Sequence, residues 1–167
     1  TPTASSSQFW GVPSNAFDGK ADTSSIADYA TAWSPQTTSN EWIKFASSPT
    51  TLGTVSAIKV LISGDNVNTT TVFKLQYSDD DISWTDASDT STNEYRLEDY
   101  YWANVTGITD TEHKYWRLFF TTISDDRFDG YTTGRILEID VVSTLRNDIT
   151  IPKNLAFLAV HQLYELT

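Results

Sequence analysis

The segment formed by residues 15–23 carries side chains that suit a calcium ion. It reads NAFDGKADT and places Asp18 and Asp22 four residues apart around Gly19. Calcium takes about six to eight oxygen ligands, many of them backbone carbonyls, and a curled glycine-containing loop supplies these. The segment does not match an EF-hand loop, and an Asp-Gly pair is also common in plain turns. The residues alone leave two interpretations open, a calcium loop and a simple turn.

Residue patterns that would indicate catalysis are weak. The two histidines, His113 and His161, belong to no GxSxG or HExxH motif, and the chain has no GxGxxG or P-loop sequence. Neighbouring acids at 98–99 and 125–126 could be imagined as a glycosidase pair. However, adjacent residues of a strand point to opposite faces, and acids in loops are usually solvated. We therefore expect no enzyme active site in this chain.

Composition narrows the classes of partner. The 167 residues include 22 Asp and Glu against 11 Lys and Arg, a formal net charge of −11. This charge argues against nucleic acid and against docking on anionic lipid, and it is compatible with neutral sugars and bound cations. The absence of cysteine excludes disulfides and zinc–thiolate sites. No apolar run is long enough for a membrane helix, so we expect no membrane insertion.

Short runs rich in aromatic and β-branched residues predict strands, and no crossover helices separate them. The predicted strands are 41–45, 56–63, 71–78, 95–105, 114–123 and 134–144. Turn signals such as the SGDN sequence at 63–66 lie between them. This spacing predicts an all-β fold, an antiparallel β-sandwich or jelly roll.

The sandwich is predicted to span residues 1–145, with a loop-like stretch over the first 40 residues. Residues 146–167 form a predicted C-terminal extension, in which Asn154 could cap a short helix over 155–166. Two interpretations of the extension stay open. It leads to another domain or a partner chain, or it packs on the same core.

Five motifs in a fixed order resemble the discoidin, or coagulation-factor C-type, group of galactose-binding-like domains, which includes carbohydrate-binding modules. They are AFDGKADT at 16–23, WIKF at 42–45, LQYSDDDISW at 75–84, YWRL at 115–118 and LEI at 137–139. The family usually has glycine in the third motif where this chain has Asp80 and Asp81. Because aspartate tolerates left-handed backbone, we expect the turn to persist. An insertion, SSIADYATA, separates Thr23 from Trp33.

The resemblance implies a structural calcium that ties the N-terminal loop to the last strand. The implied side-chain ligands are Asp18, Thr23 and Glu138. Implied backbone carbonyl ligands come from Asn15, Lys20, Thr23 and Leu137. The alternative is that Asp18 only caps a turn and Glu138 is an exposed strand residue. The resemblance also implies core positions for Trp42, Tyr77, Trp84, Trp116 and Phe119.

Loop aromatics are the predicted ligand contacts. A sugar presents a flat C–H face and a polar rim, so its site needs an aromatic ring with hydrogen-bonding neighbours. In the Tyr100–Tyr101–Trp102 run, at least one ring must face away from the core. The predicted ligand-binding residues are Tyr29, Trp33, Asn66, Arg127, Phe128 and Tyr131.

The sequence therefore predicts a non-catalytic carbohydrate-binding module with a structural calcium. It would tether a larger extracellular, secreted or virion-surface protein to a cell-surface glycan or polysaccharide, and it would meet other domains or subunits through its C-terminal segment. The alternative is a virion or adhesin assembly module that makes protein–protein contacts.

Overall fold

The computed structural model describes residues 1–7, 11–20, 32–47, 51–63, 71–93, 100–109, 112–123 and 134–147. These residues contain nine strands and one short 3₁₀ helix. No helix among them is long and apolar enough to cross a membrane. The predicted terminal helix over 155–166 lies outside the described residues, and the domain boundary at 145 stays a prediction, although the last strand continues to Asn147.

Each of the six segments predicted as strands contains a strand. In chain order the elements are β1 (Thr3–Ala4), the 3₁₀ helix (Pro13–Phe17), β2 (Glu41–Ser47), β3 (Thr51–Ser63), β4 (Thr71–Ser78), β5 (Thr85–Asp86), β6 (Ser91–Asn93), β7 (Tyr100–Asn104), β8 (Tyr115–Thr122) and β9 (Ile136–Asn147). The short β1, β5 and β6 were not predicted, because two or three residues carry no readable alternation.

Two antiparallel sheets form a sandwich, which confirms the predicted fold class. The larger sheet has the order β1-β2-β8-β4-β5, with β6 also paired to β4. The smaller sheet has the order β7-β3-β9. The last strand therefore pairs with β3, an early strand, which is the non-sequential pairing expected of a jelly roll.

The core lies between the sheets and follows the two-residue period of the strands. On β8 the buried residues Trp116, Leu118 and Phe120 alternate with half-exposed neighbours. Ile43 of β2 and Leu75 of β4 pair with Leu118 on either side, and neither is exposed. Such a continuous apolar layer is the dominant stabilising term of the sandwich.

The predicted core positions are only partly correct. Trp116 is a core residue whose indole Nε1 donates to the Gly53 carbonyl at 3.0 Å, and Tyr77 packs partly buried against the core. Trp42, Trp84 and Phe119 are half-exposed instead and lie outside the core cluster. The reason is register, because Trp42 and Phe119 are direct partners in the phase opposite to Ile43 and Leu118.

A β-bulge interrupts the pairing of β9 with β3. Leu61 is opposite Glu138 and Ile62 is opposite Ile136, so Leu137 is an extra residue with no partner in β3. A bulge bends its strand and frees backbone groups from the ladder. Here it buries both Leu137 and Glu138 at the start of the last strand.

Candidate functional site

The 3₁₀ helix brings the predicted calcium loop against the last strand. Pro13 fits its first turn because proline presets the backbone and needs no N–H partner there. The helix ends at Asp18, and Gly19 follows with φ of +70°, a left-handed conformation that favours glycine. The helix packs on β9, and Ala16 is completely buried. The chain therefore turns back beside the bulge that contains Leu137.

Asp18 and Glu138 meet at this point, which rejects the alternative of an exposed Glu138. Glu138 is 5% exposed. Burial raises the pKa of its carboxyl above the ordinary value, and the nearby charges of Asp18 and Asp140 raise it further. The backbone amides of Gly19 and Ile139 donate to the carboxylate and oppose this rise. One oxygen, Glu138 Oε2, is nevertheless buried with no hydrogen-bond partner in the described structure.

The other predicted calcium ligands surround this pair to different extents. Asp18 Oδ1 accepts from the Lys20 backbone amide at 2.9 Å, which curls the loop around Gly19. Asn15 donates its side-chain Nδ2 to the Ala32 carbonyl at 3.2 Å, so its amide braces the loop. The bulge at Leu137 removes that residue from the regular ladder. Thr23 lies outside the described residues.

These residues fit a calcium ion. A buried carboxylate with an orphaned oxygen, a second carboxylate beside it and a bulged backbone are the oxygen donors that calcium uses. No group of three or more His, Cys, Asp or Glu suited to a metal occurs among the described residues. The predicted set needs only two carboxylates, because the Thr23 side chain and backbone carbonyl oxygens would supply the remaining ligands.

The structure corrects one predicted sugar contact. Trp33 is completely buried, forms an isolated bridge with Ile136, and packs on Phe120 with ring centroids 5.7 Å apart. Its indole Nε1 donates to the Ser6 carbonyl at 3.0 Å. The prediction that Trp33 is an aromatic platform is wrong, because neither ring face is available to a ligand. The other predicted ligand contacts lie outside the described residues: Tyr29, Asn66, Arg127, Phe128 and Tyr131.

A cluster that the sequence reasoning missed covers the outer face of the larger sheet. We define this outer face by Trp42, Lys44, Lys74, Gln76, Trp84, Arg117 and Phe119. The Arg117 guanidinium lies 4.1 Å from the Trp84 ring centroid and 5.4 Å from that of Phe119. Burial lowers the pKa of Arg117, and Asp81 partly opposes this. The strand residues of this face alternate strictly in sequence with the buried Ile43, Leu75 and Leu118. This alternation could have predicted that they lie on the outer face.

The turn after β4 supports this face. Asp80 Oδ1 accepts from the backbone amides of Ile82 and Ser83 at 2.8 and 2.7 Å, and these bonds lower the pKa of Asp80 to about 2. Asp81 adopts φ of 62°, which confirms that aspartate can replace glycine in this turn. Its carboxylate then pairs with Lys44 at 2.7 Å. The turn thereby fixes the start of the segment that carries Trp84.

A second buried glutamate holds the N-terminus. Glu41 is 3% exposed and accepts hydrogen bonds from the Ser5 and Ser6 hydroxyls and from both the amide and the hydroxyl of Thr37. Burial alone would raise the pKa of Glu41, but these bonds together outweigh it and lower the pKa. We call this arrangement the Glu41 clasp. It joins β1, β2 and the turn between Trp33 and β2.

His113 is held in a different way. Its Nδ1 lies 3.0 Å from Asp79 Oδ2, and its ring stacks on Tyr77 with centroids 3.5 Å apart. The Trp116 ring meets it edge-on at 5.7 Å. These contacts brace the turn after β4 against the start of β8.

Comparison with known proteins shows the fold. No protein-family model matches the sequence, and no curated protein sequence matches it significantly. A module designated CpGH89CBM32-6 from Clostridium perfringens is similar, with a TM-score of 0.57, 17% identity, and coverage of 86% of this chain and 93% of that chain. The CBM32 of AlyQ, solved with 4,5-unsaturated mannuronic acid, is similar with a TM-score of 0.57 and 19% identity, and the match covers 85% of this chain and 93% of that chain. The lectin domain of lectinolysin, solved with Lewis B antigen, is similar with a TM-score of 0.52 and 14% identity, and the match covers 85% of this chain and 91% of that chain.

These likenesses agree with the motif resemblance and with the observed topology. The chain has the galactose-binding-like, discoidin-type β-sandwich fold.

Proposed function

We propose that this chain is a non-catalytic carbohydrate-binding module with a structural calcium ion. The observation that carries the proposal is the fold, which matches solved carbohydrate-binding modules and a lectin domain over 85% or more of this chain. Fold alone does not fix function, and sugar recognition resides in loops. The acidic chain adds support, because its net charge of −11 disfavours nucleic acid as an alternative partner.

Calcium is the proposed occupant of the Asp18–Glu138 site. Glu138 Oε2 is buried without a hydrogen-bond partner, and burial and the nearby Asp18 carboxylate raise the pKa of this carboxyl, so a bound cation would favour its charged form. A divalent cation satisfies that oxygen and the Asp18 carboxylate at once. The ion would act by joining the 3₁₀ helix to β9 and would take no part in ligand chemistry.

The proposed sugar site lies in the loops that carry Tyr29, Asn66, Arg127, Phe128 and Tyr131. Aromatic rings would stack on the flat face of a sugar, and Asn66 and Arg127 would bond to its hydroxyls. In this role the module tethers a larger extracellular or virion-surface protein to a glycan, with further contacts through residues 146–167.

A glycan and polysaccharide binding screen with calcium present tests this function. Saturable binding that Tyr131→Ala weakens tenfold or more, with Tyr115→Ala as the matched aromatic control, supports the proposed site. Melting curves of both variants establish that they are folded. Absence of binding at high protein concentration would overturn the sugar-binding function. It would favour the assembly role, which a stable oligomer dependent on residues 146–167 would then support.

A further inference from the structure

The outer face of the larger sheet carries a second group of aromatic and cationic side chains, none of which belongs to the predicted sugar loops. Trp42 and Lys44 lie on β2, Arg117 and Phe119 on β8, and their register makes Trp42 pair with Phe119 and Lys44 with Arg117. On the other side of β8, Arg117 is opposite Gln76 of β4. Adjacent strands are about 4.8 Å apart, so these side chains form one continuous surface.

Arg117 is the centre of this surface and is held in a fixed position. Its Nε donates to Gln76 Oε1 at 2.8 Å, and its plane lies over Trp84. Gln76 is fixed in turn, because its Nε2 donates to Asp86 Oδ1 at 2.8 Å. Among the described residues no acceptor takes a hydrogen bond from its two terminal amino groups, and these could therefore act as a fork.

The charges of the face are unevenly matched. Lys44 pairs with Asp81 at 2.7 Å, and Lys74 pairs with Asp86 at 2.6 Å. Within the described residues no carboxylate forms an ion pair with Arg117. The half-buried cation at the centre feels the charge of Asp81 only at longer range and forms no direct ion pair with it.

Trp42 and Phe119 supply the apolar part of the surface. Both are half-exposed on the solvent side of the sheet, where a globular sheet with one solvated face normally carries polar residues. The guanidinium lies 5.9 Å from the Trp42 ring centroid, so an anionic group on Arg117 would be adjacent to an aromatic ring. A carboxylated sugar ring has both parts, a flat C–H face and a planar anion.

We propose that the outer face binds an acidic polysaccharide through its uronate residues, with the carboxylate bidentate on Arg117 and the sugar ring on Trp42. A densely charged polyphosphate is disfavoured, because Lys44 and Lys74 are already paired with carboxylates and Arg117 can receive only a single planar anionic group. The surface is formed without any residue of the proposed loop site. Either site can therefore exist without the other.

The experiment titrates the full chain with oligogalacturonate and, separately, with its methyl ester, which keeps the sugar ring and removes the charge. Binding is followed by calorimetry and by tryptophan fluorescence. We expect the free acid to bind at least tenfold more tightly than the ester. We also expect Arg117→Gln to weaken binding tenfold or more, since it removes a bidentate ionic contact.

Matched variants separate this surface from simple charge effects and from the loop site. Lys59→Gln removes one exposed positive charge from the smaller sheet and should leave affinity unchanged. If Arg117→Gln does not fold, Trp42→Ala decides, with the same tenfold loss expected.

The proposal is overturned by equal affinity for acid and ester, by the absence of saturable binding at millimolar ligand, or by equal losses in Arg117→Gln and Lys59→Gln. Loss of binding in Arg127→Gln alone would also overturn it and would instead assign the acidic sugar to the loops.

Discussion

Two glutamates of this sandwich are almost equally buried and have opposite environments. Glu41 is 3% exposed and Glu138 is 5% exposed. Glu41 receives hydrogen bonds from Ser5, Ser6 and Thr37, and its pKa is lowered. Glu138 has an oxygen without a partner and an acidic neighbour, and its pKa is raised.

Burial by itself therefore does not determine the direction in which the pKa of a carboxyl shifts. Desolvation pushes the pKa of both residues upward, and hydrogen-bond donors decide the net direction. The Glu41 clasp is complete with this chain's own groups. Glu138 receives the amides of Gly19 and Ile139 but keeps one oxygen without a partner, and a bound cation would satisfy that oxygen.

The largest expected effect comes from breaking the Glu41 clasp. Glu41→Ala leaves two serine hydroxyls and Thr37 without their charged acceptor, and hydrogen bonds to charged groups contribute about 1.5–3 kcal/mol each. We expect a loss of about 3 kcal/mol, equivalent to a fall in melting temperature of roughly 6–12 °C. The loss should be the same in calcium and in chelator. A calorimetric scan in each condition measures it, and a calcium-dependent loss would contradict the separation of the two sites.

Glu138→Gln should change the stability of the protein in opposite directions with and without calcium. In chelator it removes an uncompensated buried charge, and we expect the variant to be more stable than the original chain by about 1 kcal/mol. With calcium at one hundred times its dissociation constant, the original chain gains about 2.7 kcal/mol that the variant lacks. Melting curves with and without chelator measure both values. Parallel curves, with no metal found by elemental analysis, would remove calcium from this site.

The pH dependence of stability tests whether the Glu41 clasp favours the charged form of Glu41. Its folded-state pKa is lowered from the ordinary value of 4.5. The clasp therefore contributes its full stabilisation above that value, and the contribution is lost as the pH falls below 4.5 and through the folded pKa. Denaturant unfolding between pH 6 and pH 3 should show a steeper loss in the original chain than in Glu41→Gln. Equal slopes would mean that the clasp does not favour the charged form.

Asp80 is exposed, and hydrogen-bond donors stabilise its charged form as they do for Glu41. We expect its contribution to stability to be smaller than that of either buried glutamate. Its pKa is lowered to about 2, first by the Ser83 amide and then by the Ile82 amide and the Ser78 hydroxyl. The turn should keep its hydrogen bonds below pH 3.8, the ordinary value, and lose them as the pH passes through about 2. Carboxyl NMR titration measures this midpoint directly, and a midpoint near 3.8 would show that the amides do not hold the charged form.

The strands were predictable because their apolar residues repeat every second position over five or more residues. That period fixed 71–78 as a strand and identified Phe73 and Leu75 as one face. The calcium pair followed from the motif resemblance, and spacing alone would not have joined Asp18 to Glu138. Their meeting depends on the bulge at Leu137, which no local sequence pattern shows.

The errors have a common physical cause. Tryptophan was assigned by type and by family position, as a core residue at 42 and 84 and as a loop platform at 33. Trp33 is in fact buried by its bridge to Ile136, and Trp42 is on the solvated phase of β2. Aromatic side chains suit either environment, so strand phase and tertiary contact decide between them.

The bulge also has a consequence for folding kinetics. The Asp18–Glu138 site joins an early loop to the last strand, and β9 pairs with β3 across about half of the chain. Contacts this distant in sequence form slowly, because the intervening loop must close first. An ion held at the bulge would arrive after the rate-limiting step. It would lengthen the lifetime of the folded protein by slowing unfolding, and it would leave the rate of folding almost unchanged.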